Sequence, residues 1–256
     1  MSEHDNASPM TKFWKDVVYA ESFEGADHNT QARRVKQIYA NFMPPIDDGD
    51  YEDTLLVIDA NGYGMAIRDE LMKDLGDGIP AFAPINDPEG KLDDQIVPGS
   101  MRTMYCMKSN TVENPEADMV VYYESEFQHG RVRLLIGEQE GLEEYKKHIK
   151  AKDDSHDSEY VVPYKTTDIL CDQIANLRIK GEGNNRREAR IHKTIPRDIH
   201  SALKYALRMS QLREIEESAS KQDDESPWAK VYRENAQKRV QPKHNMPFKN
   251  RGRAFR

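Results

Sequence analysis

The segment Leu55-Leu56-Val57-Ile58-Asp59-Ala60-Asn61-Gly62-Tyr63-Gly64 constrains the fold of this chain more than any other. Four apolar residues predict a buried strand, and the glycine-rich turn after them opens a helical pattern. An acid at the carboxyl end of a buried strand occupies the position where α/β enzymes place reactive groups. A second acid, Asp198, opens the amphipathic stretch Asp198 to Leu207. Two carboxylates on rigid elements suggest a divalent-metal site for phosphodiester chemistry.

Around this strand the periodicities alternate. Val17 to Phe23 reads as a strand, and a helix capped by Asn29 or Thr30 runs to Phe42, where Pro44-Pro45 stop it. After Asp59 the pattern predicts a helix over 63–75 with Met65, Ile67, Leu71 and Met72 buried. A short strand over 79–85 and an exposed loop over 87–99 follow. Met119 to Tyr123 has strand propensity, but Glu116, Val120, Tyr123 and Phe127 fit a helix ended by Gly130, and helix is the reading adopted. Beyond it come a strand over 131–136, a charged helix over 140–149, and a helix capped by Thr166 or Thr167 and ending at Asn176. The short strand Leu177 to Lys180 and a basic loop over 181–190 lead to a helix over 198–212. In that helix Ile199, Ala202, Leu203, Ala206 and Leu207 are expected to face the core. Strands alternating with helices predict an α/β sheet with helices on its faces.

Composition narrows the function classes. Only 37% of the 256 residues are hydrophobic, so much of the chain is expected to be solvated loop or tail. No apolar run approaches the roughly 18–20 residues of a membrane span. Met1 to Pro9 lacks the basic and apolar regions of a secretory signal, so an intracellular protein is expected. Cys106 and Cys171 are too few and too isolated for a disulfide framework or a cysteine zinc site. A net charge of −8 argues against nucleic acid until its distribution is considered. From Lys230 to Arg256 the bases outnumber the single acid Glu234, as in a segment that contacts phosphates or merely solubilises.

Three stretches carry a family resemblance: ESFEG…QARRVKQIY…LLVIDANGYGMAIRDELM, FQHGRVRLLI…PYKTTDILCDQIANLRIK and PRDIHSALKYAL. Together they resemble the nuclease domain of the large terminase subunit of tailed bacteriophages, from about Val17 to Leu212. The most specific pieces are Asp59-x-x-Gly62-x-Gly64 and Asp198-x-x-Ser201-Ala202-Leu203-x-Tyr205-Ala206. The resemblance implies an α/β fold of RNase H-like type, a mixed sheet flanked by helices. It further implies cleavage of concatemeric double-stranded DNA during genome packaging in the cytoplasm of an infected bacterial host. Two Mg²⁺ or Mn²⁺ ions would be held by acids, with Asp59 and Asp198 as catalytic and metal residues, and Gly62 and Gly64 would let the backbone turn sharply beside them. The terminase ATPase polypeptide, the small terminase subunit and the portal are the implied partners.

Two departures qualify this expectation. No G-x-x-x-x-G-K-[ST] occurs, so ATP hydrolysis of the family's motor type is not expected here. The family's first catalytic acid lies on an earlier strand; Glu3, Asp5, Asp16 and Glu21 are the upstream acids, and none ends an apolar strand. Either another polypeptide supplies the first strands, or the chain is a non-catalytic module that docks on a separate ATPase subunit or the portal. The expected organisation is a disordered 1–14, a nuclease domain over 15–213 and a flexible charged tail over 214–256.

Each site residue also has a plainer reading. Asp59 before a glycine turn fits a turn residue, and Asp198 fits a first-turn acid favoured by the helix dipole. Arg186, Arg187, Arg190 and Lys193 are candidate DNA contacts or simply keep a loop solvated. His192 and His200 flank Asp198 and read as exposed polar residues near DNA, with ligand or proton-shuttle roles as the alternative.

Overall fold

The computed structural model describes residues 14–22, 25–42, 54–87, 89–109, 111, 114–148 and 157–220. The chain divides into two compact units, Met1–Leu212 and Arg213–Arg256; of the second, residues 213–220 are described and are helical. Residues 1–13, Pro44-Pro45 and the basic segment from Lys230 onward lie outside the described residues.

The architecture is mixed α/β. In chain order β1 (Lys15–Asp16), α1 (His28–Phe42), β2 (Leu56–Asp59) and α2 (Tyr63–Leu71) come first. Next are β3 (Phe82–Pro84), β4 (Met101–Met107), α3 (Glu116–Gln128) and β5 (Val132–Arg133). The helices α4 (Glu138–His148) and α5 (Asp157–Ala175), the strands β6 (Leu177–Lys180) and β7 (Arg187–Arg190), and α6 (Asp198–Ser220) complete it. The central sheet has the order β2-β4-β3, and both pairings are parallel. β1 pairs in parallel with β5, and β6 with β7 as an antiparallel hairpin.

Side-chain alternation divides the central sheet between two cores. Leu56 and Ile58 of β2 pack with Ala32 and Tyr39 of α1, Leu71 and Met72 at the end of α2, Phe82 and Met104. Leu55 and Val57 point the other way, to Tyr105, Met107, Met119 of α3, and Tyr205 and Met209 of α6. Both faces of β2 are therefore apolar, which is why it reads as an uninterrupted hydrophobic run. Met104 and Phe82 are fully buried, each stabilising the fold by about 1.5–3 kcal/mol relative to exposure.

Where β3 ends, a side chain takes over its pairing. Asn86 Nδ2 donates to the Cys106 carbonyl at 2.9 Å, and the Cys106 N–H donates to Asn86 Oδ1 at 2.8 Å.

Several elements differ from the sequence expectations. The first strand is Lys15–Asp16, not Val17 to Phe23; residues 17–22 are irregular, and Glu21 bridges to Arg34 of α1 at 2.6 Å. Asp27, rather than Asn29 or Thr30, caps α1, accepting from the Thr30 N–H at 2.8 Å. α2 stops at Leu71, and Met65, expected in the core, is 43% exposed. The strand after Gly130 shortens to two residues. α5 begins well before Thr166 and runs through Pro163, whose carbonyl accepts from the Thr167 hydroxyl at 2.9 Å. The loop over 181–190 contains β7, paired along its length with β6. Ala202 and Ala206 of α6 are exposed, because that helix buries His200, Lys204, Tyr205, Leu207, Arg208 and Met209 instead. Among the described residues no helix is long and apolar enough to cross a membrane.

Candidate active site

Asp59 ends β2 at the carboxyl edge of the parallel sheet, with its side chain exposed. The chain then folds back in an Asx turn. The Asn61 N–H and its Nδ2 both donate to Asp59 Oδ1 at 3.0 Å, and Asn61 Nδ2 also reaches Ser109 Oγ at 3.3 Å. Gly62 lies at φ +52°, in the left-handed region that glycine enters without strain. Gly64 meets a harder limit. A Cβ there would lie 1.6 Å from the Asp59 carbonyl oxygen, so only glycine lets α2 start this close to the end of β2.

Across from this turn stands α6. Tyr205 Oη lies 3.4 Å from Asp59 Oδ2, and its ring is buried in the core shared by β4 and α3. Burial raises the Tyr205 phenol pKa above its ordinary value; Ser109 opposes the shift and Asp59 adds to it. The phenol thus faces Asp59 as a neutral donor. Asp198 is the first residue of the same helix and is exposed. Seven residues separate it from Tyr205, two turns and about 10 Å of axis, so both project from one side of α6. Asn61, Ser109 and Tyr205 belong to the site although none of them is assigned a role from sequence. The available signals were the Asp-x-Asn spacing and the seven-residue interval from Asp198.

The basic candidates separate into two groups. Arg186 and Arg187 line an open cleft of about 820 Å³ with Arg197, Glu116, Glu188 and Thr111. Arg190 lies elsewhere in its bonding: its guanidinium donates to the carbonyls of Lys193 at 3.0 Å and Ile195 at 3.3 Å, which pins the loop carrying the exposed Lys193.

Beneath the cleft the side chains are charged and buried. Lys204 Nζ lies 2.6 Å from Glu188 Oε2 and 3.7 Å from Glu116 Oε1. His200 Nε2 lies 3.3 Å from Glu188 Oε1, and its backbone N–H donates to Gln173 Oε1 of α5 at 3.0 Å. Burial would raise the Glu188 carboxyl, but His200 and Lys204 outweigh it and hold the pKa down at about 2. His200, expected to be exposed near DNA, is completely buried, because α6 buries His200, Lys204 and Arg208 together with Tyr205, Leu207 and Met209. His192 is exposed. Cys106 and Cys171 are free thiols, and burial pushes Cys106 up to about 11, far from a reactive thiolate.

Two carboxylates, Asp59 and Asp198, are hard oxygen donors suited to Mg²⁺ or Mn²⁺. Among the described residues no group of three or more His, Cys, Asp or Glu side chains converges as a metal ion requires. Among the described residues no hydrogen bond links Asp59 to Asp198, Asp59 reaching that helix through Tyr205 instead, and the two acids fall short of a two-ion centre. No family model matches the chain, and no curated protein or solved structure matches it significantly.

Proposed function

We propose that this chain is the metal-dependent endonuclease part of a phage DNA-packaging terminase, with an RNase H-like core that cuts concatemeric double-stranded DNA. One observation supports the reading above the others. An exposed carboxylate sits at the carboxyl edge of a parallel sheet, in a turn where only glycine fits, and faces the helix that Asp198 opens. A turn residue with no further role does not need Gly64 pressed against its carbonyl or a buried tyrosine aimed at its side chain.

In this reading Asp59 and Asp198 are the acidic residues, Asn61 orients Asp59, and Tyr205 donates to its second oxygen. Bound Mg²⁺ or Mn²⁺ would neutralise phosphate charge and generate the attacking hydroxide. The two acids do not complete such a centre, so further carboxylates must reach it from outside the described residues, from the terminase ATPase polypeptide in the simplest case. The small terminase subunit and the portal are the further partners of this reading, and the cytoplasm of the infected host is its setting.

The shortfall in ligands gives the second reading, a non-catalytic module docking on a separate ATPase subunit or the portal. Plasmid cleavage with Mn²⁺ or Mg²⁺, with and without the ATPase polypeptide, separates the two. Cutting that disappears in Asp59→Ala, in Asp198→Ala and in EDTA supports the nuclease. Tight association with the ATPase polypeptide and no cutting under any condition would replace it with the docking module.

A further inference from the structure

We propose that the cleft between the start of α3 and the β6-β7 hairpin binds the sugar–phosphate backbone of a nucleic-acid strand, with Arg187 and Arg197 as its principal phosphate contacts. The inference rests on the nuclease reading for its place beside Asp59, and on its own observations for the ligand.

The first observation is the state of the charges. Arg187 and Arg197 are exposed in the cleft and make no hydrogen bond or ion pair through their side chains among the described residues. Arg186 is partly spent on Glu124, at 3.2 Å. The two acids in the lining are answered from behind: Lys204 contacts both Glu188 and Glu116, and His200 abuts Glu188. With three arginines against two acids in the described lining, and Lys204 contacting both acids from beneath, the cleft carries a net positive face. Guanidinium groups recognise phosphate oxygens through paired N–H donors.

A second observation concerns the end of α3. Its N-cap is Pro115, which gives no side-chain acceptor to the first-turn N–H groups, and Pro115, Glu116 and Ala117 all line the cleft. Those N–H groups and the helix dipole add to the arginines' preference for an anion. Among the described residues the lining holds no aromatic side chain. A pocket for a free nucleotide or another small ligand would be mostly apolar with few polar groups, whereas a surface that reads backbone needs cations, hydroxyls and N–H groups.

The third observation is continuity. Thr111 lines the cleft, and Ser109, two residues earlier, contacts the Asn61 amide that holds Asp59. Two residues of chain span at most about 7 Å, and the Ser109–Asn61 and Asn61–Asp59 contacts add 3.3 and 3.0 Å, so the cleft begins within a few phosphates of Asp59 along a strand. Arg190 and Lys193 do not line the cleft, and Arg190 is committed to loop carbonyls, so neither is a principal contact.

The test uses the full chain in EDTA, so that cleavage is silent. Arginine modification by phenylglyoxal is mapped by mass spectrometry with and without a short DNA duplex, which reads each residue separately from the basic C-terminal segment. Binding of a labelled duplex is measured in parallel across a salt series for the wild type, Arg187→Ala/Arg197→Ala, Arg187→Lys/Arg197→Lys and Arg190→Ala/Lys193→Ala. DNA is expected to protect Arg187 and Arg197. The first variant should bind at least about tenfold more weakly, with a salt slope shallower by about 2. The lysine variant should recover part of that loss, and the Arg190/Lys193 variant should stay near the wild type. Equal modification with and without DNA, or wild-type binding by the first variant, overturns the inference. So does protection by polyglutamate or by a nucleoside monophosphate as strong as that by DNA.

The two readings fail separately. Protection without any Asp59-dependent cutting leaves the cleft standing and removes the nuclease. Asp59-dependent cutting with unprotected arginines does the reverse.

Discussion

The two sides of β4 solve burial in opposite ways. On the α1/α2 side the core is Ala32, Tyr39, Leu71, Met72, Leu75, Phe82 and Met104, an apolar cluster that needs volume and little else. A buried cation there, Lys36, donates to the Lys73 carbonyl at 3.0 Å, just past the end of α2. On the side of α3, α5, the β6-β7 hairpin and α6, the apolar cluster of Tyr105, Met107, Met119, Tyr205 and Met209 shares the interior with Glu188, His200, Lys204, Gln173 and Arg208. There every atom needs a partner in the right direction, and neither Tyr123 Oη nor His200 Nδ1 finds a hydrogen bond among the described residues. Apolar packing tolerates changes of shape, while buried charge tolerates almost none. The candidate-site turn lies at the seam, with Asp59 on a strand of the apolar core and Tyr205 on a helix that buries charged and apolar side chains together.

Four substitutions test that contrast, from the largest effect to the smallest. Gly64→Ala is the sharpest challenge, because it lies on the tolerant side yet puts a Cβ 1.6 Å from the Asp59 carbonyl. A loss of about 3 kcal/mol or more in denaturant unfolding is expected, and a near-neutral result would show that α2 can back away from β2. Glu188→Gln leaves Lys204 without its nearest buried counter-charge, at a cost of about 3 kcal/mol.

The same residue sets a pH dependence. Its folded pKa of about 2 lies below the ordinary 4.5, so its contribution is complete above about pH 4.5 and disappears as the pH falls toward 2. Melting temperature against pH should fall through that window for the wild type and be flatter for Glu188→Gln. Equal slopes would remove Glu188 as the acid-sensitive group.

Met104→Leu, in the apolar core, should cost less than about 1.5 kcal/mol despite complete burial. A loss matching that of Glu188→Gln would end the distinction between the two halves. Asp59→Asn should be smallest, within about 0.5 kcal/mol, because an amide oxygen still accepts both Asn61 donors. If it cuts DNA as well as the wild type, the proposed role of Asp59 fails while the structural contrast survives.

The contrast also explains what could be read in advance. β2 was legible because apolar residues on both of its faces make a continuous run, and α1 because Ala32 and Tyr39 recur at helical spacing. α3 was recovered against its strand propensity because Gly130, at φ +61°, marks its end. The central strand β4 went unread: Met101-Arg-Thr-Met-Tyr-Cys-Met has few β-branched residues and gains its burial from neighbours on both sides. β7 passed for a basic loop because its inward residue is Glu188, which reads as solvent-facing until Lys204 and His200 are placed beside it. Of the site, Asp59 and its glycines announced themselves through the turn. Tyr205 did not, because its role depends on where α6 crosses β2, a distance of 146 residues along the chain.

The Asn86–Cys106 pair has a consequence for the shape of the sheet. A primary amide carries the same donor and acceptor as a peptide unit, so Asn86 acts as a splice that continues the ladder after the main chain of β3 has turned away. The strands can therefore part at their carboxyl ends without leaving the Cys106 backbone unanswered in the interior. The opening that results is lined by Arg68, Asn86 and Lys108, a hollow the sheet forms at no cost in unpaired backbone.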